Sequence, residues 1–109
     1  MSGKEFFVIR YEELGWKYKN AEPRQAIRIN TMNAEKVNTV KRLRSLGIEL
    51  EEITFLENGY WVCRSKFSLG ATSEYLLDLY SMQEAAAQIP ASLFTELKGK
   101  IVLDACAAP

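Results

Sequence analysis

The chain has 109 residues, which suits one compact domain and is too short for two complete ones. Its hydrophobic fraction of 48% and charged fraction of 26% argue against disorder and against a fibrous repeat. It contains no histidine, which excludes Ser-His-Asp and Cys-His catalysis and makes a transition-metal site unfavourable.

The sequence carries no sign of a membrane or secretory segment. Apolar runs stay well below the roughly 18–20 residues of a membrane span, and Met1–Arg10 lacks the order of a secretory signal. We therefore expect a cytoplasmic protein with no membrane partner. In that compartment Cys63 and Cys106 are expected to be free thiols rather than a disulfide.

Charge is unevenly distributed although the formal net charge is 0. Basic residues concentrate between positions 17 and 44, where the only acidic residues are Glu22 and Glu35; they are Lys17, Lys19, Arg24, Arg28, Lys36, Lys41, Arg42 and Arg44. Such a face can meet phosphates, and an ordinary solvated surface is an equally good interpretation of charge alone.

The first half predicts a helix, a strand and a second helix. Residues 5–16 are mostly apolar and favour a helix, and the alternation after Pro23 predicts a strand over 25–31 with Ile27 and Ile29 on one face. Asn33 is a suitable cap for a helix that ends at Gly47.

The second half predicts a hairpin, two helices and a final strand. Strands are expected at 48–56 and 60–66, joined by a tight turn at Glu57-Asn58-Gly59, in which Asn-Gly is a strong hairpin signal. Thr72 or Ser73 can cap a helix over 74–79, a short strand at 80–83 precedes an Ala-rich helix, and 100–105 has the apolar pattern of a buried strand.

These elements predict an α+β protein. Their middle has the β-α-β-β-α-β order of a small split sheet, as in ferredoxin-like and RNA-recognition folds. An N-terminal helical segment precedes that unit, and a helix and a surplus strand follow it.

The strand around Arg28 and Asn30 offers the most interesting polar pair. Alternation places a guanidinium and an amide side by side, and both groups bind phosphate or sugar hydroxyls. The alternative is that Arg28 forms a structural ion pair and Asn30 prepares the turn. For Tyr60, Trp61 and Phe67, core packing is favoured over base stacking.

Three segments, "PRQAIRINTMN", "LGATSEYLLDLYSMQEAAAQIPASLF" and "KGKIVLDACAAP", resemble the Sun (Fmu, Nop/Sun) family of RNA (cytosine-5) methyltransferases. The matching positions are Pro23, Arg24, Arg28, Asn30, Thr31, Gln83 and 103–109. The resemblance implies an N-terminal helical segment at 1–22, an RNA-recognition-like RNA-binding domain at 23–83, and the start of a truncated Rossmann-like methyltransferase domain at 84–109.

The resemblance also implies residue roles. Arg24, Arg28 and Asn30 would face RNA, either tRNA or rRNA. Asp104, Cys106, Ala107, Ala108 and Pro109 would begin the loop that binds S-adenosylmethionine, because small residues after a strand let the backbone approach a ligand. In the full-length parent that site would be completed by residues absent here.

No catalytic residue is expected in this chain, since neither Cys63 nor Cys106 occupies the motifs of the family's two catalytic cysteines. The expected function is the RNA-binding N-terminal portion of an S-adenosylmethionine-dependent tRNA or rRNA cytosine-5 methyltransferase, not competent alone, with the remainder of the methyltransferase domain as a partner. The alternatives are a stand-alone RNA-binding or regulatory module and one half of a split enzyme.

Overall fold

A computed structural model describes residues 2–107; the predictions for Ala108 and Pro109 fall outside this range. In chain order its elements are α1 (Gly3–Glu13), β1 (Ala26–Ile29), α2 (Lys36–Ser45), β2 (Glu49–Glu52), β3 (Gly59–Arg64), α3 (Ser73–Leu76), β4 (Tyr80–Met82) and α4 (Ala85–Ser92), with a 3₁₀ turn at Leu69–Ala71. The predicted α+β class is confirmed.

Within residues 2–107 the four strands form one sheet in the order β2-β3-β1-β4, and every neighbouring pair is antiparallel. Ile27 pairs with Tyr60 of β3 on one side and with Met82 of β4 on the other. Alternation along β1 buries Ile27 and Ile29 and leaves Arg28 exposed, as the sequence predicts. The central strand is therefore paired on both edges.

The two faces of the sheet are covered by different helices. The face carrying Ile27 and Ile29 packs against Val40 and Leu43 of α2, and the rest of that core consists of Ile48, Leu50, Tyr60, Leu69 and Tyr80. Ala26 points to the opposite face because successive strand residues alternate. There it packs with Ile53, Leu56 and Ala85, so α4 covers the second face.

Helix α2 ends as predicted and begins differently. Gly47 has φ +88 just beyond its C-terminal end, a conformation that favours glycine. The N-cap is Glu35, whose side chain makes no capping hydrogen bond, so the prediction of Asn33 is wrong. The Asn33 amide instead donates to the Asp78 carbonyl and to Asp78 Oδ2, each at 3.2 Å.

The β2–β3 connection corrects the predicted tight turn. The strands do pair antiparallel, but residues 53–58 form the loop between them. Ile53 and Leu56 are 1% and 7% exposed, and their burial draws the loop onto the second face of the sheet. The gain from burying two apolar side chains outweighs the local preference of Asn-Gly for a hairpin turn.

The predicted strand at 100–105 is also corrected, because these residues have no regular secondary structure. Ile101, Val102 and Leu103 are 101%, 56% and 85% exposed. In the described part of the chain no strand pairs with this segment, so its backbone groups have no ladder to join. Helix α4 contains Pro90 within its last turn.

No helix within residues 2–107 has the length and apolar character required to cross a membrane.

Candidate nucleic-acid interface

Arg28 lies in the middle of β1, between Gly59 of β3 and Ser81 of β4. Its side chain lines an open groove of about 560 Å³ between the 55–58 loop and the end of α4. Among residues 2–107, Arg28 takes part in no ion pair. The structural ion pair considered for this residue is thus not observed, and its guanidinium is available to an anion.

Two exposed aromatic residues share the Arg28 groove. Phe55 of the loop and Phe94 beyond α4 both line it, and they are 59% and 56% exposed. Aromatic faces beside a guanidinium are what proteins use to hold unpaired RNA bases and their phosphates. Sequence reasoning considered other aromatics and missed this pair, because only folding brings the loop and the end of α4 together.

Gln88 fixes one wall of the groove. Its side chain is 4% exposed, and its Nε2 donates to the Gln83 carbonyl at 2.9 Å and to the Ile27 carbonyl at 3.4 Å. A Cβ on Gly59 would lie 2.9 Å from Gln88 Oε1, so glycine is required for this approach. Gln88 thereby anchors α4 to the central strand, a role that nothing in the local sequence pattern indicates.

Arg24 lies before β1 and is already engaged. Its Nη2 is 3.2 Å from Glu51 Oε2, and its guanidinium carbon lies 4.4 Å from the centroid of the Trp61 ring. The pair is exposed, so it is a weak, screened contact that an incoming phosphate can replace. The thiol of Cys63 also approaches Glu51 Oε2, at 3.7 Å.

Asn30 stabilises the turn that follows β1. Its Nδ2 donates to Asp78 Oδ2 at 3.0 Å, and its Oδ1 accepts from the backbone N–H of Met32 at 3.2 Å. Asp78 itself has φ +54. Both ends of the Asn30 amide are therefore occupied within the fold, and the structure does not place Asn30 in the groove that Arg28 lines.

An ion pair between the exposed Arg42 side chain and the buried Glu74 carboxylate joins α2 to α3. Arg42 Nη2 and Nε donate to Glu74 Oε1 at 2.8 and 3.2 Å, and Ser73 Oγ donates to Glu74 Oε2 at 3.0 Å. Burial by itself raises the pKa of Glu74, but its backbone N–H, Ser73 and Arg42 together hold that pKa below its ordinary value. Glu74 therefore remains ionised although it is 4% exposed.

Tyr80 is buried in the core between the sheet and α2. Its hydroxyl donates to the Leu69 carbonyl at 2.6 Å and lies 2.7 Å from Thr72 Oγ1. Burial raises the pKa of Tyr80, so its hydroxyl stays protonated at neutral pH.

The predicted cofactor-loop residues form an exposed turn. Asp104 Oδ1 accepts from the backbone N–H of Cys106 at 3.0 Å, and Asp104, Cys106 and Ala107 are all exposed. These three residues line none of the four main grooves found in the described range. Within residues 2–107 no three potential metal-ligating side chains converge.

The chain belongs to the Sun/Fmu family of RNA methyltransferases, which confirms the resemblance, although no protein-family model matches it. It is 37% identical over 90 residues to ribosomal RNA small subunit methyltransferase F of Vibrio atlanticus (strain LGP32), covering 79% of this chain and 19% of that protein. The protein of the same name from Aeromonas hydrophila is 35% identical over 92 residues, with the same two coverages. The chain thus spans about a fifth of the length of the curated relatives it matches.

A solved structure shares the fold. The crystal structure of a methyltransferase homolog protein from Pyrococcus horikoshii aligns with a TM-score of 0.56 and 22% identity, covering 74% of this chain and 24% of that one. At this identity the likeness concerns the fold of the matched region and not its chemistry.

Proposed function

We propose that this chain is the RNA-binding portion of an S-adenosylmethionine-dependent tRNA or rRNA cytosine-5 methyltransferase and does not catalyse methyl transfer alone. The observation that carries the proposal is the Arg28 groove, in which an unpaired guanidinium lies between exposed Phe55 and Phe94. Phosphate binds the guanidinium through paired N–H donors, and bases stack on the two rings.

The element order β1-α2-β2-β3-α3-β4 supports assigning 23–83 to an RNA-recognition-like, split-sheet domain. In the same proposal, 1–22 is a helical extension and 84–109 begins the Rossmann-like methyltransferase domain. Asp104, Cys106, Ala107, Ala108 and Pro109 remain assigned by resemblance alone to the start of the cofactor loop. S-adenosylmethionine would supply the methyl group in that reaction.

The three predicted RNA contacts are not equivalent. Arg28 is free to bind, Arg24 has to exchange Glu51 for a phosphate, and Asn30 has to leave Asp78. We therefore assign the main contact to Arg28 and a secondary one to Arg24, and we give Asn30 the role of holding the end of β1. Neither Cys63 nor Cys106 lines the groove, which supports a binding rather than a catalytic role.

Fluorescence polarisation with a labelled 20-nucleotide oligouridine tests the proposal. Arg28→Gln should weaken binding about tenfold, because a charge-assisted phosphate contact is lost. Phe55→Ala should have a comparable effect through lost stacking. Arg10→Gln, at an exposed arginine of α1, is the matched control and should bind like the unmodified chain. Unchanged affinity in Arg28→Gln would exclude this groove as the RNA site.

The claim about catalysis has its own assay. The chain, mixed with radiolabelled S-adenosylmethionine and an rRNA or tRNA transcript, should incorporate no label. Incorporation of label above a protein-free control would contradict the claim that the chain does not catalyse methyl transfer alone.

A further inference from the structure

A second groove lies at the outer side of the sheet, where α2 ends beside β2 and β3. It has a volume of about 700 Å³, and its lining includes Arg44 from α2, Arg64 from β3 and Lys66 just beyond β3. Glu49 is the one acidic residue in that lining. Three positive charges against one negative charge make this a basic site on a chain whose net charge is 0.

Two of these cations are held in place by the fold. Arg44 Nη2 donates to the Leu50 carbonyl at 3.2 Å, which fixes its guanidinium beside β2. The stem of Lys66 lies across the turn at Gly47, with its Cδ and Cε 3.4 and 3.5 Å from the position that a Gly47 Cβ would occupy. Because the stems are positioned, little side-chain freedom remains to be lost when an anion binds.

The third cation has only a weak partner. Arg64 Nη1 lies 4.0 Å from Glu49 Oε1, and the two side chains are 71% and 64% exposed. Such a pair contributes little in water, so Arg64 can turn to an anion without losing a strong contact. Arg42, whose partner Glu74 is buried, has no such freedom.

We propose that the groove lined by Arg44, Arg64 and Lys66, the basic edge groove, binds the phosphate backbone of RNA as a contact separate from the Arg28 groove. This inference rests on the proposed RNA-binding function and adds a second site to it. Guanidinium groups match phosphate oxygens in paired geometry, and lysine adds a point charge. No aromatic side chain lines this groove, so it holds the backbone and reads no base.

The test measures the affinity of the 109-residue chain for a labelled 20-nucleotide oligouridine between 50 and 200 mM KCl. Each phosphate contact on a single strand contributes about 0.7 to the slope of log affinity against log salt. The double variant Arg64→Gln/Lys66→Gln should therefore lower that slope by about 1.4. The control variant Lys98→Gln/Lys100→Gln also removes two positive charges, but from an exposed segment outside the groove, and it should leave the slope unchanged.

Arg64→Gln alone keeps the test independent of the packing of Lys66 and should lower the slope by about 0.7. An unchanged slope in both Arg64 variants, with binding still weakened by Arg28→Gln, would overturn the basic edge groove and leave the proposed function intact. An equal decrease in the Lys98/Lys100 variant would overturn it as well, since the response would follow net charge. If the unmodified chain binds no oligouridine, both proposals are wrong. Competition by polyglutamate as strong as by RNA would indicate an acidic protein partner and would also overturn the assignment.

Discussion

Two short apolar segments of this chain, β1 and residues 101–103, differ in burial. In β1, Ile27 and Ile29 are 0% and 2% exposed, whereas Ile101 and Leu103 are 101% and 85% exposed. Both segments have the β-branched composition that predicts a strand. Composition therefore permits a strand in both segments, and the neighbouring elements determine whether the strand forms.

The neighbours of the two segments account for the difference. β1 has β3 and β4 on its edges and α2 and α4 on its faces, so its backbone is paired and its side chains leave water. The segment at 101–103 has no pairing partner within residues 2–107. Hydrophobic stabilisation depends on the apolar area removed from water, so the same side chains contribute to stability only in β1.

The largest expected effect tests that contrast directly. Ile27→Ala should lower the free energy of unfolding by about 2–5 kcal/mol, since a fully buried side chain is replaced by a cavity. Ile101→Ala should change it by less than about 0.5 kcal/mol. Urea denaturation followed by circular dichroism measures both, and equal losses would show that 101–103 is packed in solution.

A smaller effect is expected where the second face of the sheet is tightest. Gly59→Ala would place a Cβ 2.9 Å from Leu56 Cβ and from Gln88 Oε1, and it should destabilise the fold by about 1–3 kcal/mol through overpacking. Gly3→Ala has nothing within 4 Å and serves as the control. Equal thermal melting of Gly59→Ala and the unmodified chain would argue against close packing of α4 on β3.

The smallest effect concerns the ion pairs. Glu74→Gln should cost about 1–2 kcal/mol at pH 7, because Arg42 loses a charged hydrogen-bond partner. The pKa of Glu74 is lowered on folding, so its contribution is present above the ordinary carboxyl pKa, about 4.3, and is lost as the pH falls through the lower folded value. Glu13→Gln, in the exposed pair with Arg10, should have almost no effect.

Denaturation curves at several pH values between 2 and 7 check this last prediction. The difference between Glu74→Gln and the unmodified chain should be largest near neutral pH and should shrink below about pH 4. A difference that stays constant over this range would mean that Glu74 does not act through its charge.

Sequence patterns located the elements of the sheet better than they located the candidate site. The alternation at Ile27 and Ile29 and the helix ending at Gly47 are local features, and local rules predicted both. The groove combines Arg28 with Phe55 and Phe94, which come from separate parts of the chain. Periodicity cannot place such residues together, so only Arg28 was identified in advance.

The sequence by itself determined the α+β class, the position of the central strand and the relation to the Sun/Fmu family, because these depend on local patterning and on runs of matching residues. Tertiary structure alone decided which apolar segment is buried, which arginine is free and which aromatic residues stand beside it. The physical reason is that burial and ion pairing depend on what the rest of the fold brings within a few ångströms. Three arginines illustrate this dependence. Arg24 forms a weak surface pair with Glu51, and Arg42 forms a structural pair with the buried Glu74. Arg28 lines a groove with its guanidinium unpaired in the described part of the chain.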